Sequence, residues 1–214
     1  MEDIRVYQPW SAPLLHFNLS ENQIEDLLKI TDLILSDKNK KSYNDKLAGE
    51  IESEWEIEDH ETLSDILCVS ELSDEYFEVF HTQYNFDVDS GEIDQPLAIF
   101  AMNLQKSVLV SAWFNDQRDN EYNPIHNHTG VLSGVLYLKI PEYLPSRKTK
   151  DTDGAISFMG NESKTDGTMT NSTLTISPKK GDLFLFPSSL KHQVYPFRTS
   201  DGKGIRRSMS FNIK

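Results

Sequence analysis

The stretch Tyr122–Pro141, YNPIHNHTGVLSGVLYLKIP, sets two histidines one residue apart immediately before a run that reads as a β-strand. The run is short, rich in Val, Leu and Tyr, and closed by a proline, which is the pattern of a strand rather than a helix. In an extended segment the side chains at i and i+2 point to one face, so His126 and His128 can aim at a common point while Asn127 faces away. Two ligands of one metal need that arrangement. A third can arrive from a distant strand if the sheet folds back over itself. His192 is the candidate, because it follows GDLFLFPSSLK, where a strand ends at Pro187 and a short polar turn redirects the chain. Neutral imidazole suits Fe, Zn, Cu and Ni, and three protein ligands on one face leave positions open for other molecules. An H-x-H pair by itself is more often part of an ordinary loop than of a metal site. The distant His192 and its setting add the weight that the pair lacks.

Working outward, the chain beyond Pro96 continues as short β-like runs separated by turn residues: LAIFAMNL, SVLVSAWFN, SGVLYLKIP, AISFMG, TLTISP, GDLFLFP, HQVYPF and RRSMSFNI. This many strands with no helix between them predicts a sandwich or barrel of the jelly-roll kind. Gly181 and Asp182 make the turn into LFLFP, and the polar segment 148–172 reads as a long loop or loose hairpin. Trp113 and Asn115 alternate on the strand before the histidines, where they can line a cleft.

The N-terminal part reads differently. LSENQIEDLLKITDLIL has Ser20 and Gln23 as a capping box, Leu19 and Ile24 as a hydrophobic staple, and an apolar stripe through Leu27 and Leu28. A polar excursion over 37–59 precedes a second helix, with Ser73 as its cap and Tyr76, Phe77, Phe80 and Tyr84 on one face packed against the sheet. Cys68 reads as a small buried hydrophobe in that region. The whole, residues 1–214, is expected to be one domain: a largely helical support over 1–95 and a jelly-roll core over 96–214. Its class is mainly β with N-terminal helices.

Composition limits what such a domain can do. A formal net charge of −13 repels phosphate backbones, so nucleic acid is not expected as a partner. A single cysteine excludes an internal disulfide and any zinc site built on several thiolates, so a metal would be held by nitrogen and oxygen. No apolar run approaches the roughly 20 residues of a membrane helix, and the N-terminus lacks a secretory signal. A cytoplasmic protein with no membrane association is expected.

The order of these motifs resembles the 2-oxoglutarate- and iron(II)-dependent oxygenases. The carriers are NPIHNHTGVLSGVLYL, SPKKGDLFLFPSSLKHQVYPF and GIRRSMSFNI, with PWSAPLLHFNLSENQ fitting the opening of a subgroup found in bacteria and phages whose motif reads P-x-H-x-H. The resemblance implies a double-stranded β-helix, iron(II) as cofactor and 2-oxoglutarate as co-substrate. It implies His126 and His192 as the outer iron ligands. The middle ligand, a carboxylate in most of the superfamily, falls at His128, which leaves the site one charge unit more positive; Glu121 or Asp116 reaching the metal is the alternative. All-histidine facial sites occur in other oxygenases.

Arg206 and Ser208 stand at i and i+2 on the last strand, so both can face the interior and grip a carboxylate, while Arg207 points the other way with Met209 and Phe211. The family's R-x-S pattern selects Arg206 for the far carboxylate of 2-oxoglutarate, and aligns Tyr137 with a tyrosine that touches the same carboxylate in prolyl hydroxylases. Tyr137 also reads as an aromatic on a core strand. The implied activity is hydroxylation, with dioxygen, of a small molecule or of a peptidyl or free amino acid side chain. The other readings are a non-catalytic cupin-like metal-binding barrel and a three-histidine dioxygenase that does not use 2-oxoglutarate. Homodimerisation is left open.

Overall fold

Eleven strands and three α-helices are defined in the computed structural model, which describes residues 4–7, 13–84, 108–145, 152–160 and 172–214. The strands are β1 (Arg5–Tyr7), β2 (Leu14–Asn18), β3 (Glu54–Glu56), β4 (Leu109–Gln117), β5 (Asn123–His126), β6 (Leu132–Lys139), β7 (Ile156–Met159), β8 (Thr173–Ile176), β9 (Asp182–Pro187), β10 (Lys191–Val194) and β11 (Arg206–Ile213). They form two antiparallel sheets, a large one in the order β1-β2-β9-β6-β11-β4-β3 and a small one in the order β5-β10-β7-β8. This is the jelly-roll arrangement expected from the run of short strands. The LAIFAMNL segment lies outside the described residues.

Alternation along the strands of the large sheet feeds two separate cores. One face carries Leu15, Phe17, Phe114, Leu136, Leu183, Met209 and Phe211, packed with Ile24 and Leu27 of α1 (Glu21–Ser36), Leu63 and Leu67 of α2 (His60–Leu67), and Leu72 and Tyr76 of α3 (Val69–Tyr84). The opposite face carries Leu14, Val135, Tyr137, Phe184 and Phe186, packed against Ile156, Phe158 and Val194 of the small sheet. Because the period is two, each strand of the large sheet serves the helices with one set of residues and the inter-sheet space with the other. Gly134 permits one close approach: a Cβ there would stand 2.2 Å from the ring of its register partner Phe211.

Helix α1 starts as its sequence dictates. Ser20 Oγ accepts from Gln23 N–H, and the Gln23 side chain reaches back to the Ser20 backbone, completing the box, while Leu19 and Ile24 are both buried. Three features differ from the expectation. The N-terminal part contributes strands β1, β2 and β3 to the large sheet as well as helices. Ser73 is inside α3, not at its cap, and its Oγ donates to Val69 C=O one turn back. Cys68 is half-buried and left-handed (φ 52°), forming the break between α2 and α3. Tyr76 and Phe80 are buried as expected, whereas the Tyr84 side chain is not among the described ones. Gly181 makes the turn into β9 with φ +90°, a conformation that costs glycine little.

Candidate active site

The three histidines meet at the open end of the inter-sheet space. His126 ends β5 and His192 lies on β10, and the two are register partners of the antiparallel pair, with ring centroids 4.3 Å apart. His128 lies just past the end of β5, where its N–H donates to Ser188 C=O (2.8 Å) and so pins it against the β9–β10 turn. Its ring stands 5.0 Å from each of the other two. One ligand atom from each residue falls within 4.8 Å of the others, close enough to hold one metal ion.

Hydrogen bonding settles which nitrogen of each outer ring is available. His126 Nδ1 lies 2.7 Å from Pro124 C=O, and His192 Nδ1 lies 3.0 Å from Leu190 C=O. A carbonyl only accepts, so both Nδ1 atoms carry the proton and both Nε2 atoms present a lone pair. His128 Nε2 stands 3.3 Å from His192 Nε2. Two cis ligands at ~2.1 Å from a metal stand about 3 Å apart, so the spacing matches a shared ion. Burial lowers the pKa of all three, and together with the neighbouring imidazoles brings His128 to about 4 and His192 to about 3. Neutral imidazole, the form a metal needs, therefore prevails at neutral pH.

Behind the histidines the cavity runs inward between the sheets, reaching Tyr137, Arg206 and Ser208. Arg206 is 1% exposed, and among the described residues no carboxylate pairs with it. Its terminal nitrogens donate to Gly154 C=O and Gln117 Oε1, and its guanidinium lies 5.6 Å from the Tyr137 ring centroid and 5.8 Å from that of Phe197. Arg206 Nε and the Tyr137 hydroxyl, both buried, have no partner among the described residues. A buried cation and two orphaned donors on one wall suit an anion such as a carboxylate. Ser208 sits between Asn115 and Tyr137 in the sheet register and lines the same cavity. Arg207 points to the helical side as expected. It forks onto Asp116 through two 2.6 Å bonds and also reaches Asp32 and Thr31.

That fork occupies both oxygens of Asp116, away from the histidines. Glu121 is occupied too, since its oxygens accept from the backbone N–H groups of Glu52 and Arg118. Neither alternative carboxylate joins the cluster. Trp113 and Asn115 both line the cavity, Trp113 with its ring 5.4 Å from that of His128. Sequence reasoning passed over Gln117, Phe197 and Gly154 around Arg206. Gln117 alone left a signal, because it shares a face of β4 with Trp113 and Asn115.

It also passed over Glu54. This residue on β3 is 1% exposed, and neither of its carboxylate oxygens has a hydrogen-bond partner among the described residues. Burial, assisted by the charge of Glu121, pushes its pKa from 4.5 up to about 8. A carboxyl whose folded pKa is raised stabilises the fold below its unfolded pKa, and that stability is lost as pH rises through the folded value. Glu54→Gln is therefore expected to melt above the wild type at pH 8, with the difference shrinking to nothing near pH 4. Thermal melts across that range check it, and a variant that melts below the wild type at pH 8 contradicts it.

A jelly roll with three converging imidazoles and a buried arginine on the inner wall is an arrangement that suits a metal-dependent oxygenase built on a double-stranded β-helix. Residues 111–212 match the family model described as "Putative 2OG-Fe(II) oxygenase". Over that stretch the chain carries the sequence pattern of an oxygenase domain whose family uses iron(II) as cofactor and 2-oxoglutarate as co-substrate. Solved structures share the fold at low identity. AviO1 from Streptomyces viridochromogenes Tue57 is 11% identical with a TM-score of 0.53, covering 92% of this chain and 87% of its own. A Pseudomonas putida prolyl-4-hydroxylase is 11% identical with a TM-score of 0.50, covering 92% and 90% respectively. HygX from Streptomyces hygroscopicus, solved with nickel and 2-oxoglutarate bound, is 11% identical with a TM-score of 0.50, covering 95% and 83%. No curated protein matches the sequence.

Proposed function

We propose that His126, His128 and His192 hold the iron, that Arg206, Ser208 and Tyr137 hold the far carboxylate of 2-oxoglutarate, and that the enzyme hydroxylates a peptidyl or free amino acid side chain. The observation that carries the reading is the pairing of an all-imidazole cluster with a buried, carboxylate-free arginine on the wall of one cavity. Bound iron(II) supplies the dioxygen chemistry, coupling oxidative decarboxylation of 2-oxoglutarate to oxygen insertion into a substrate C–H bond.

The residues contribute orientation. Pro124 and Leu190 carbonyls fix the tautomer and tilt of His126 and His192, so that both lone pairs face inward before a metal arrives. Gly154 and Gln117 hold the Arg206 fork in place, leaving Nε and the Tyr137 hydroxyl to meet the carboxylate, with Ser208 as a further donor. Phe158 and Phe186 pack against His192 and keep water from the inner side of the cluster. The substrate assignment is supported by the order of motifs shared with prolyl hydroxylases, and by the low-identity fold match to the Pseudomonas prolyl-4-hydroxylase. We read residues 1–214 as one oxygenase domain acting in the cytoplasm; no described helix is long and apolar enough to cross a membrane.

Incubation with iron(II), 2-oxoglutarate and dioxygen is expected to release succinate. A protein that binds iron yet never forms succinate, with or without candidate substrates, would return the reading to a metal-binding barrel. The middle ligand has its own test. His128→Asp restores the carboxylate found in most of the superfamily and is expected to keep stoichiometric iron, measured by metal analysis after gel filtration. Complete loss of iron in that variant would mean the site has another geometry.

A further inference from the structure

Glu54 on β3, Asn115 on β4, Ser208 on β11 and Tyr137 on β6 are successive register partners across the large sheet. Their side chains therefore share the inward face, spaced about 4.8 Å from strand to strand. The row has two opposite ends. Tyr137 and Ser208, beside Arg206, form a donor end. Glu54 and Asn115 form an acceptor end: Asn115 is 4% exposed and its Oδ1 has no partner among the described residues, like both oxygens of Glu54.

Further acceptors close around Glu54. A Cβ on Gly49 would stand 2.2 Å from Asn123 Oδ1 and 3.1 Å from Glu54 Oε1, so the absence of a side chain at 49 lets the two residues share this corner. Ala48, Asn115 and Asn123 line the cavity that holds the three histidines. Trp113, two residues from Asn115 on the same face of β4, links this end to the cluster through its contact with His128. Asn115 and Asn123 thus carry the acceptor end to the wall of the histidine cavity, with Glu54 beside them as the register partner of Asn115.

Empty, this corner favours Glu54 as the uncharged acid; ionised, its two bare oxygens are costly unless a cation arrives to satisfy them. Glu121, the charge that acts on Glu54 from nearby, has the same sign and cannot do so. An ammonium brings three N–H donors and a guanidinium five, whereas a hydroxyl brings one. Three orphaned acceptors in one corner match the first two.

We propose that Glu54 and Asn115 bind an ammonium or guanidinium group of the substrate, making Glu54 the residue that selects a substrate with a basic side chain. This rests on the oxygenase reading and specifies the substrate class of that same cavity. The test is calorimetric binding to the anaerobic protein loaded with iron(II) and 2-oxoglutarate, using N-acetyl-lysine amide and N-acetyl-arginine amide against the neutral N-acetyl-norleucine amide. At least one basic probe is expected to bind about tenfold or more tightly than the neutral one, the size of a hydrogen bond to a charged group. The preference is expected to vanish in Glu54→Gln and to weaken in Asn115→Leu. Equal binding of all probes, no binding of any at millimolar concentration, or a preference that survives Glu54→Gln overturns the proposal. The wild-type comparison needs no variant to fold. Loading with 2-oxoglutarate is measured first: a protein that takes up 2-oxoglutarate but shows no basic preference refutes only this inference, while one that fails to take it up refutes the oxygenase reading and this inference with it.

Discussion

His192→Ala is expected to lose iron(II) affinity by more than roughly 100-fold, because removing a ligand costs more than removing the partner that orients one. His192 presents a lone pair whose direction is fixed by Leu190 C=O, and its ring packs against those of Phe158 and Phe186. The ring is 4% exposed, so truncation also opens a cavity, at a cost of about 2–5 kcal/mol for a large buried side chain. His126→Ala separates the two effects. His126 is only half-buried, so this variant is expected to lose iron comparably while melting closer to the wild type. Equilibrium dialysis against iron(II), with a thermal melt of each protein, checks both. Stoichiometric iron retained in either variant would remove that residue from the coordination sphere.

Arg206→Ala is expected to weaken 2-oxoglutarate binding by about 100-fold or more while leaving iron binding in place. A charge-assisted hydrogen bond contributes ~1.5–3 kcal/mol, and 2.8 kcal/mol corresponds to ~100-fold in affinity. The comparison with Arg206→Lys carries the physical content. Lysine keeps the charge but not the planar fork that donates to Gly154 and Gln117 and still presents Nε, so it should recover only part of the loss. Calorimetric titration of the iron-loaded variants with 2-oxoglutarate reads both values. Undiminished affinity in Arg206→Ala would mean that the co-substrate is held elsewhere.

Much of this was legible in the residues because it depends on short-range geometry. The capping box at Ser20 and Gln23 satisfies its hydrogen bonds within one turn, so the sequence suffices to find it. Alternation placed Arg206 and Arg207 on opposite faces, and one faces the cavity while the other pairs with Asp116 and Asp32. What escaped depends on which strands lie side by side. β3 has three residues, Glu-Trp-Glu, with no strand pattern of its own, and exists because β4 offers it an edge. Glu54 becomes buried only through that pairing, and Gln117 reaches Arg206 only because the two are register partners. The break at Cys68 lacks the glycine or proline that punctuates most helix ends, so the pattern on either side ran together.

His128 joins these two kinds of legibility. The i, i+2 spacing correctly sent its ring toward His126, yet the residue lies beyond the strand and is held by a backbone bond to Ser188 that no local pattern announces. Its identity as histidine also sets the charge of the site.

X-ray absorption on the iron(II)-loaded protein, with and without 2-oxoglutarate, counts the imidazoles bound to the metal. Three imidazoles, kept when 2-oxoglutarate is added, are expected. Two or fewer, or a protein carboxylate in place of the third, would contradict an iron site formed by His126, His128 and His192.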